Sequence, residues 1–455
     1  MEYIVVAYTL FLLLLTRRLI RDVLSRFCLY SFLIFWGVSL FATCFNPLGM
    51  SSVSPRTYFI LMLAMAGFWT GMYCYNRYVK YDDWVKTNEN LLTGAADLST
   101  SKGFMALYII STFLLLKFAA KALIMAELNG GTIEYDQRIE MIFDGSVITQ
   151  MYIDFVVTPL AYATYALLGI SIMGASKRFM VFYILSPIFL VSFLILAGGR
   201  SIFVTLALTV MIVIVSMRAT KTKFNLPRML FIAGVPTILL LMLGMEMQTN
   251  YRKTGQYGLD TDALGGAIGH MGESFFTYSV IPIKMFDYAL DHRWPDNYGT
   301  MNMGRATFAG ADYLVCRGIG HVTGDYPWST MKVVQFLQDT RIQISPKSKL
   351  GYNYCYTATF YNYLDFGLFG VFIMPMIFSF LFRVYIIKFQ RHRALPDLLI
   401  ICFGYFMMLM SLFNCYFIKT WALLYCLILI LWSERCNGRL KGVRIKFIDL
   451  KKITI

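Results

Sequence analysis

Apolar residues come in long, nearly unbroken runs along most of the chain, at 3–16, 27–45, 57–75, 103–126, 150–173, 179–197, 201–217, 229–247, 357–382, 396–413 and 420–432. A helix crossing the hydrocarbon core of a bilayer needs about twenty apolar residues. Runs of this kind with few charges predict transmembrane helices. Eleven of them predict an all-α fold, a polytopic transmembrane helical bundle of about 11 spans. Between the eighth and ninth lies 248–356, where no segment is apolar enough to cross. This stretch is rich in Tyr, Phe, Trp and Gly and has little low-complexity sequence, so it predicts a large, folded, partly helical loop. The chain divides into helices one to eight (1–247), the loop (248–356), and helices nine to eleven with a basic tail (357–455).

Composition agrees with this pattern. Hydrophobic residues make up 58% and charged residues 15%, against roughly a quarter charged in soluble domains, so a water-exposed surface cannot be coated. The net charge of +15 sits mostly in short connections, where Lys and Arg set orientation. One alternate set of connections holds Arg17–Arg26; Arg77, Lys80, Lys86 and Lys102; Lys177 and Arg178; Arg218, Lys221, Lys223 and Arg228; Arg383, Lys388, Arg391 and Arg393; and the tail from Arg435 to Lys452. The other short connections carry only Arg56, Arg138, Arg200 and Lys419. This alternation predicts an outside N-terminus and a cytoplasmic C-terminus. It also removes the case for nucleic acid, since neither a zinc-finger spacing nor a basic helical stripe is present. Tyr3–Leu15 precedes Arg17 and Arg18, the reverse of a cleaved signal, where positive charge comes first. Seven of the nine cysteines lie in or beside predicted spans and read as packing residues. Cys316 and Cys355 fall in the loop and are the pair available for a disulfide in an oxidising compartment.

Several residues could carry chemistry. Arg200 stands between two apolar runs, after Gly198 and Gly199. A guanidinium there either grips a phosphate through bidentate contacts or snorkels to lipid headgroups. Lys117 and Lys121 share one helical face at i, i+4 and would repel unless an anion lay between them or both snorkelled. Arg252, followed by Lys253, opens the loop. His270 and Glu273, behind Gly265, Gly266 and Gly269, have the spacing to activate a hydroxyl, or to form a polar pair on a solvated helix. Asp260-Thr-Asp262 is too short a pattern to argue for a metal, and His292 and His321 lack ligand spacing. Loop aromatics such as Tyr251, Tyr257, Trp294 and Trp328 suit either a sugar face or a membrane interface. No phosphate-binding Gly-x-x-x-x-Gly-Lys-Ser/Thr motif occurs, so no ATP motor is encoded in the chain.

Three stretches together resemble the Wzy-type polymerases of bacterial O-antigen and capsule repeat units. They are Leu196-Ala-Gly-Gly-Arg-Ser-Ile-Phe203; the loop from Arg252 to Gly272-Glu273-Ser274; and Asn353-Tyr-Cys-Tyr-Thr357 followed by Asp365-Phe-Gly-Leu-Phe-Gly370. The topology is similar to the membrane glycosyltransferase C class, although the connection Asn46–Arg56 lacks the carboxylate many of those enzymes carry there. The resemblance implies a bacterial inner-membrane enzyme that works at the outer face. It would transfer a polyprenyl pyrophosphate-linked glycan onto an incoming lipid-linked repeat unit, without nucleotide sugar, metal or other cofactor. Its partners would be polyprenyl pyrophosphate-linked oligosaccharides, the lipid bilayer and a chain-length regulator protein. Arg200, Arg252, Lys117 and Lys121 would hold the pyrophosphate, and His270 or Glu273 would serve the acceptor hydroxyl. An O-antigen ligase and a lipid-linked glycan flippase are the competing readings.

Overall fold

A computed structural model describes residues 1–45, 52–78, 91–128, 147–174, 180–197, 201–220, 279–292, 294, 302–339, 341–342, 352–353 and 357–436. The helices in chain order are α1 (Glu2–Leu19), α2 (Val23–Cys44), α3 (Pro55–Tyr78), α4 (Leu91–Thr100) and α5 (Lys102–Leu128). α6 joins Val147–Tyr152 to Thr158–Gly174 through a π-helical turn, Ile153–Val157. Then come α7 (Met180–Ala197), α8 (Ser201–Ala219), α9 (279–291), α10 (Ala309–Thr323), α11 (Met331–Asp339), α12 (Ala358–His392), α13 (Leu395–Met410) and α14 (Thr420–Cys436). The described β-structure is one two-residue antiparallel pair, Arg341–Ile342 with Tyr352–Asn353.

Ten of the eleven predicted segments coincide with helices, and 229–247 lies outside the described residues. Among the described residues five helices are long and apolar enough to cross a membrane: Val23–Cys44, Pro55–Cys74, Lys102–Ala122, Ile148–Ser171 and Ala358–His392. Shorter apolar helices are Ile184–Leu196, Val204–Ala219 and Leu395–Met410. α1 places Glu2, Arg17 and Arg18 within 18 residues. α13 has only 16 residues, nearly all buried, so its apolarity serves the protein interior.

α3 and α12 make the most intimate pair. A side chain at Gly67 would strike the carbonyl of Phe372, and one at Gly71 the carbonyl of Met376. The spacing Gly67-x-x-x-Gly71 thus lets two backbones touch, which favours helix association where lipid removes the hydrophobic drive between helices. Above this contact Phe32, Trp36, Phe68 and Phe378 interlock, with Phe32 and Phe68 rings 4.4 Å apart and Phe68 and Phe378 rings 5.9 Å apart.

The bundle has a basic end and a loop end. At the basic end Asp22 accepts from Ser25 N–H at 2.7 Å, capping α2, and pairs with Arg383 of α12 at 2.8 Å. Arg383 also donates to the Met72 carbonyl, Lys388 pairs with Glu434, and Ser433 donates to Asp397. The turn between α1 and α2, the end of α12 and the end of α14 therefore meet at one end. Arg383 itself is a correction: it is no loop cation but a fully buried helix residue. A charge buried so deeply is tolerated when it is paired and hydrogen-bonded.

Candidate functional site at the break in α12

α12 starts at the loop end, where Ala358 N–H donates to the Ser411 carbonyl at 2.7 Å. Two turns later the helix breaks. Phe366 (φ −143°, ψ 20°) and Gly367 (φ 59°, ψ −144°) leave helical geometry, and the helix then resumes to His392. The dihedrals of Gly367 fall where a residue with a Cβ is strained. Gly370 has a different role: a Cβ there would strike the Asn362 carbonyl and stand 2.8 Å from the Phe366 Cβ. In Asp365-Phe-Gly-Leu-Phe-Gly370 the first glycine makes the break and the second lets its two halves close on each other.

Asp365 fixes this break to the turn at 302–308. Its carboxylate is fully buried and accepts from Ala306 N–H at 2.8 Å and Thr307 N–H at 2.7 Å, one on each oxygen. The Leu364 carbonyl accepts from Asn302 Nδ2 at 2.9 Å, the Asp365 carbonyl from Met303 N–H at 3.3 Å, and Thr307 Oγ1 donates to Asn362 Oδ1 at 3.2 Å. Met303 and Gly304 reach positive φ (54° and 89°) to present these groups.

A second carboxylate organises the segment after the turn. Asp312 accepts from Arg305 Nε at 2.6 Å, Thr330 N–H at 2.8 Å, Ser329 Oγ at 2.9 Å and Thr330 Oγ1 at 3.0 Å. Arg305 also donates to the Trp328 carbonyl at 2.6 Å and lies over the Trp328 ring. Burial works against the charge of Asp312, but these donors outweigh it and hold its carboxyl below the usual range. A depressed pKa contributes stability that is complete above the unfolded value, about 4, and fades as pH falls through the folded value. We expect the protection of the 309–339 amides against hydrogen exchange, relative to the unstructured rate at the same pH, to fall on acidification below about pH 4, and Asp312→Asn to produce the same loss of protection at neutral pH. An unchanged exchange profile in Asp312→Asn would count against this node.

The third carboxylate lies on α9. Asp287 accepts from Ser54 N–H at 3.0 Å, Ser54 Oγ at 2.6 Å and Thr57 Oγ1 at 2.6 Å, so it caps the start of α3 from a distant segment. Phe286 meets Phe360 of α12, ring centres 5.9 Å apart. One helical turn earlier Lys284 is 2% exposed, and its ammonium has no hydrogen-bond partner among the described residues. Burial pushes its pKa below the lysine range, and Asp287 opposes that shift.

Beneath the break is a cavity of about 150 Å³. Thr307, Asn362, Ser411 and Asn414 line it with polar groups, whereas Phe68, Phe378, Leu381 and Phe417 are among its apolar walls. Ile377 and Leu381 are also exposed on the outside of α12, so one wall of the cavity borders the exposed apolar surface of that helix.

Of the residues predicted to act, Lys117 and Lys121 lie on successive turns of α5, the first exposed and the second half-buried. α5 packs on α7 and α4, and neither lysine is among the partners of Asp365. Arg200, Arg252, His270 and Glu273 lie outside the described residues, as do Asp260, Asp262 and Cys355. Cys316 is a buried free thiol, 3.7 Å from the Trp328 carbonyl. Among the described residues no group of three His, Cys, Asp or Glu could hold a metal ion. Sequence reasoning misses Asn302, Thr307, Lys284 and Asp287; the one local signal is Ser54-Pro55, a capping residue followed by proline at a helix start. Comparison with known protein families, with characterised proteins and with solved structures finds no match.

Proposed function

We propose that this protein is a Wzy-type polymerase that joins lipid-linked glycan repeat units at the extracytoplasmic face of a bacterial inner membrane, with the loop end of the bundle outside. The observation that carries the reading is the cavity under the break in α12, lined by Ile377 and Leu381 from the exposed apolar side of that helix and by the polar side chains of Thr307 and Asn362. A substrate with an isoprenoid chain and a polar head needs both surfaces in that order. The leaving group would be a lipid pyrophosphate, whose growing negative charge calls for fixed cations. Arg200 and Arg252 are the proposed donors, with Lys117 and Lys121 along its approach. The acceptor hydroxyl needs orientation and a base, the role proposed for Glu273 or His270. In this scheme Asp365 is structural, since both its oxygens are occupied by backbone N–H groups.

Glycan analysis of a deletion strain tests the reading. Loss of a polymerase leaves one repeat unit on the lipid core, because the ligase still transfers it. A bare core with long glycan stranded on the carrier would instead identify a ligase, and single units trapped on the cytoplasmic leaflet a flippase. The purified protein should extend lipid-linked repeats without ATP, nucleotide sugar or divalent ion. Dependence on a divalent ion would count against the mechanism.

A further inference from the structure

α10 presents an apolar stripe that no other described residue covers. Leu314, Val315, Ile319 and Val322 are 47%, 61%, 44% and 87% exposed, and Gly318 between them faces open space. Positions 314, 315, 318, 319 and 322 recur at the helical period, so they form one face. The opposite face holds the buried Ala309, Gly310, Cys316 and Gly320. The helix has 15 residues. At 1.5 Å per residue that is about 22 Å, too short to cross a bilayer.

The position of the helix indicates what covers the stripe. Gly310 is pressed against the start of α14: a Cβ there would stand 2.6 Å from Thr420 N and 2.7 Å from the Ile418 carbonyl. α14 in turn exposes Leu424, Leu427, Ile428 and Leu431 at helical spacing on its outer side. The apolar stripe of α10 therefore begins at the loop end of a helix whose outward face is also apolar. Its flanks carry groups suited to the boundary of water and lipid. Arg317 donates to Tyr313 OH at 2.9 Å, and Tyr326 and Trp328 are 60% and 43% exposed. Aromatic and cationic side chains collect at that depth.

We infer that α10 is an interfacial helix, its Leu314–Val315–Ile319–Val322 face seated in the lipid that surrounds α14. This rests on the chain being embedded in a membrane and is independent of which reaction it catalyses. Lying there, α10 would hold the 302–308 turn, and with it the break in α12, at the level of the lipid headgroups. A lipid-linked substrate could then reach the break sideways.

Single-cysteine additions test this in the full chain, reconstituted in nanodiscs of phosphatidylcholine and phosphatidylglycerol. Val315→Cys, Val322→Cys and, as a water-facing control, Lys332→Cys would each carry a fluorophore, with the chain lacking the added cysteine as background. Labels at 315 and 322 should be quenched by a spin label placed high on the acyl chain. Iodide in the water should quench them far less than the label at 332, because a face seated below the headgroups is shielded from water. Quenching by iodide as strong as at 332 would place the face in water and overturn the inference. Shielding from both quenchers would overturn it as well, by showing that protein, not lipid, covers the stripe.

Discussion

Gly367→Ala and Gly370→Ala should each sharply lower the amount of folded protein in the membrane. Gly367 has φ 59° and ψ −144°, a conformation that costs a residue with a Cβ about 1–3 kcal/mol. At Gly370 the added methyl would meet the Asn362 carbonyl, which is part of a helix and cannot swing aside. Forcing atoms into such a contact costs about 1–3 kcal/mol or more. Asp365→Asn should act through the same joint. An amide can accept from only one of the Ala306 and Thr307 N–H groups and sets its own N–H₂ against the other. Leaving that buried donor unmet costs about 1–3 kcal/mol. These losses compare with total stabilities of about 5–15 kcal/mol, so abundance should fall clearly in each variant. Quantitative immunoblotting of membranes, with glycan output normalised to protein, checks this. Asp365→Asn should lower abundance more than turnover per molecule. A variant at full abundance but without activity would give Asp365 a chemical role.

The legibility of this chain varies with the range of the interaction. Helix positions are readable because an apolar run and the helix it forms occupy the same residues. Which apolar helices serve the interior is less readable, because apolarity has two causes: α13 is apolar through burial among its neighbours. Arg383 reads as a loop cation in the sequence because its partner Asp22 lies 361 residues away. Asp287 gives no sign of its role for the same reason, being 233 residues from the Ser54 it caps. Asp365-Phe-Gly-Leu-Phe-Gly370 stands out in the sequence as unusual. Its physical meaning, a break stitched to a turn about sixty residues earlier, needs the fold. Gly67 and Gly71 pass unnoticed in the sequence, because their part in the packing depends on the partner helix α12, about three hundred residues away. Lys284 gives no signal, since nothing in the sequence around it tells a buried lysine from an exposed one.

Arg200→Ala should abolish polymer while leaving the protein in the membrane. The proposed reaction separates a glycan from a lipid pyrophosphate, and charge builds on the leaving oxygen as the bond breaks. Removing one fixed donor to such a charge typically costs about 10²–10³ in rate. A guanidinium binds two phosphate oxygens at once in a fixed plane, whereas an ammonium is a point charge on a flexible stem. Arg200→Lys should therefore restore little of the polymer even though the net charge is unchanged. Neither substitution removes a glycine or adds bulk, so both should affect function rather than abundance. Immunoblotting of membranes beside glycan profiles separates the two. Full polymer length in either variant at normal abundance would reduce Arg200 to a lipid anchor, and the pyrophosphate role would pass to Arg252 with Lys117 and Lys121.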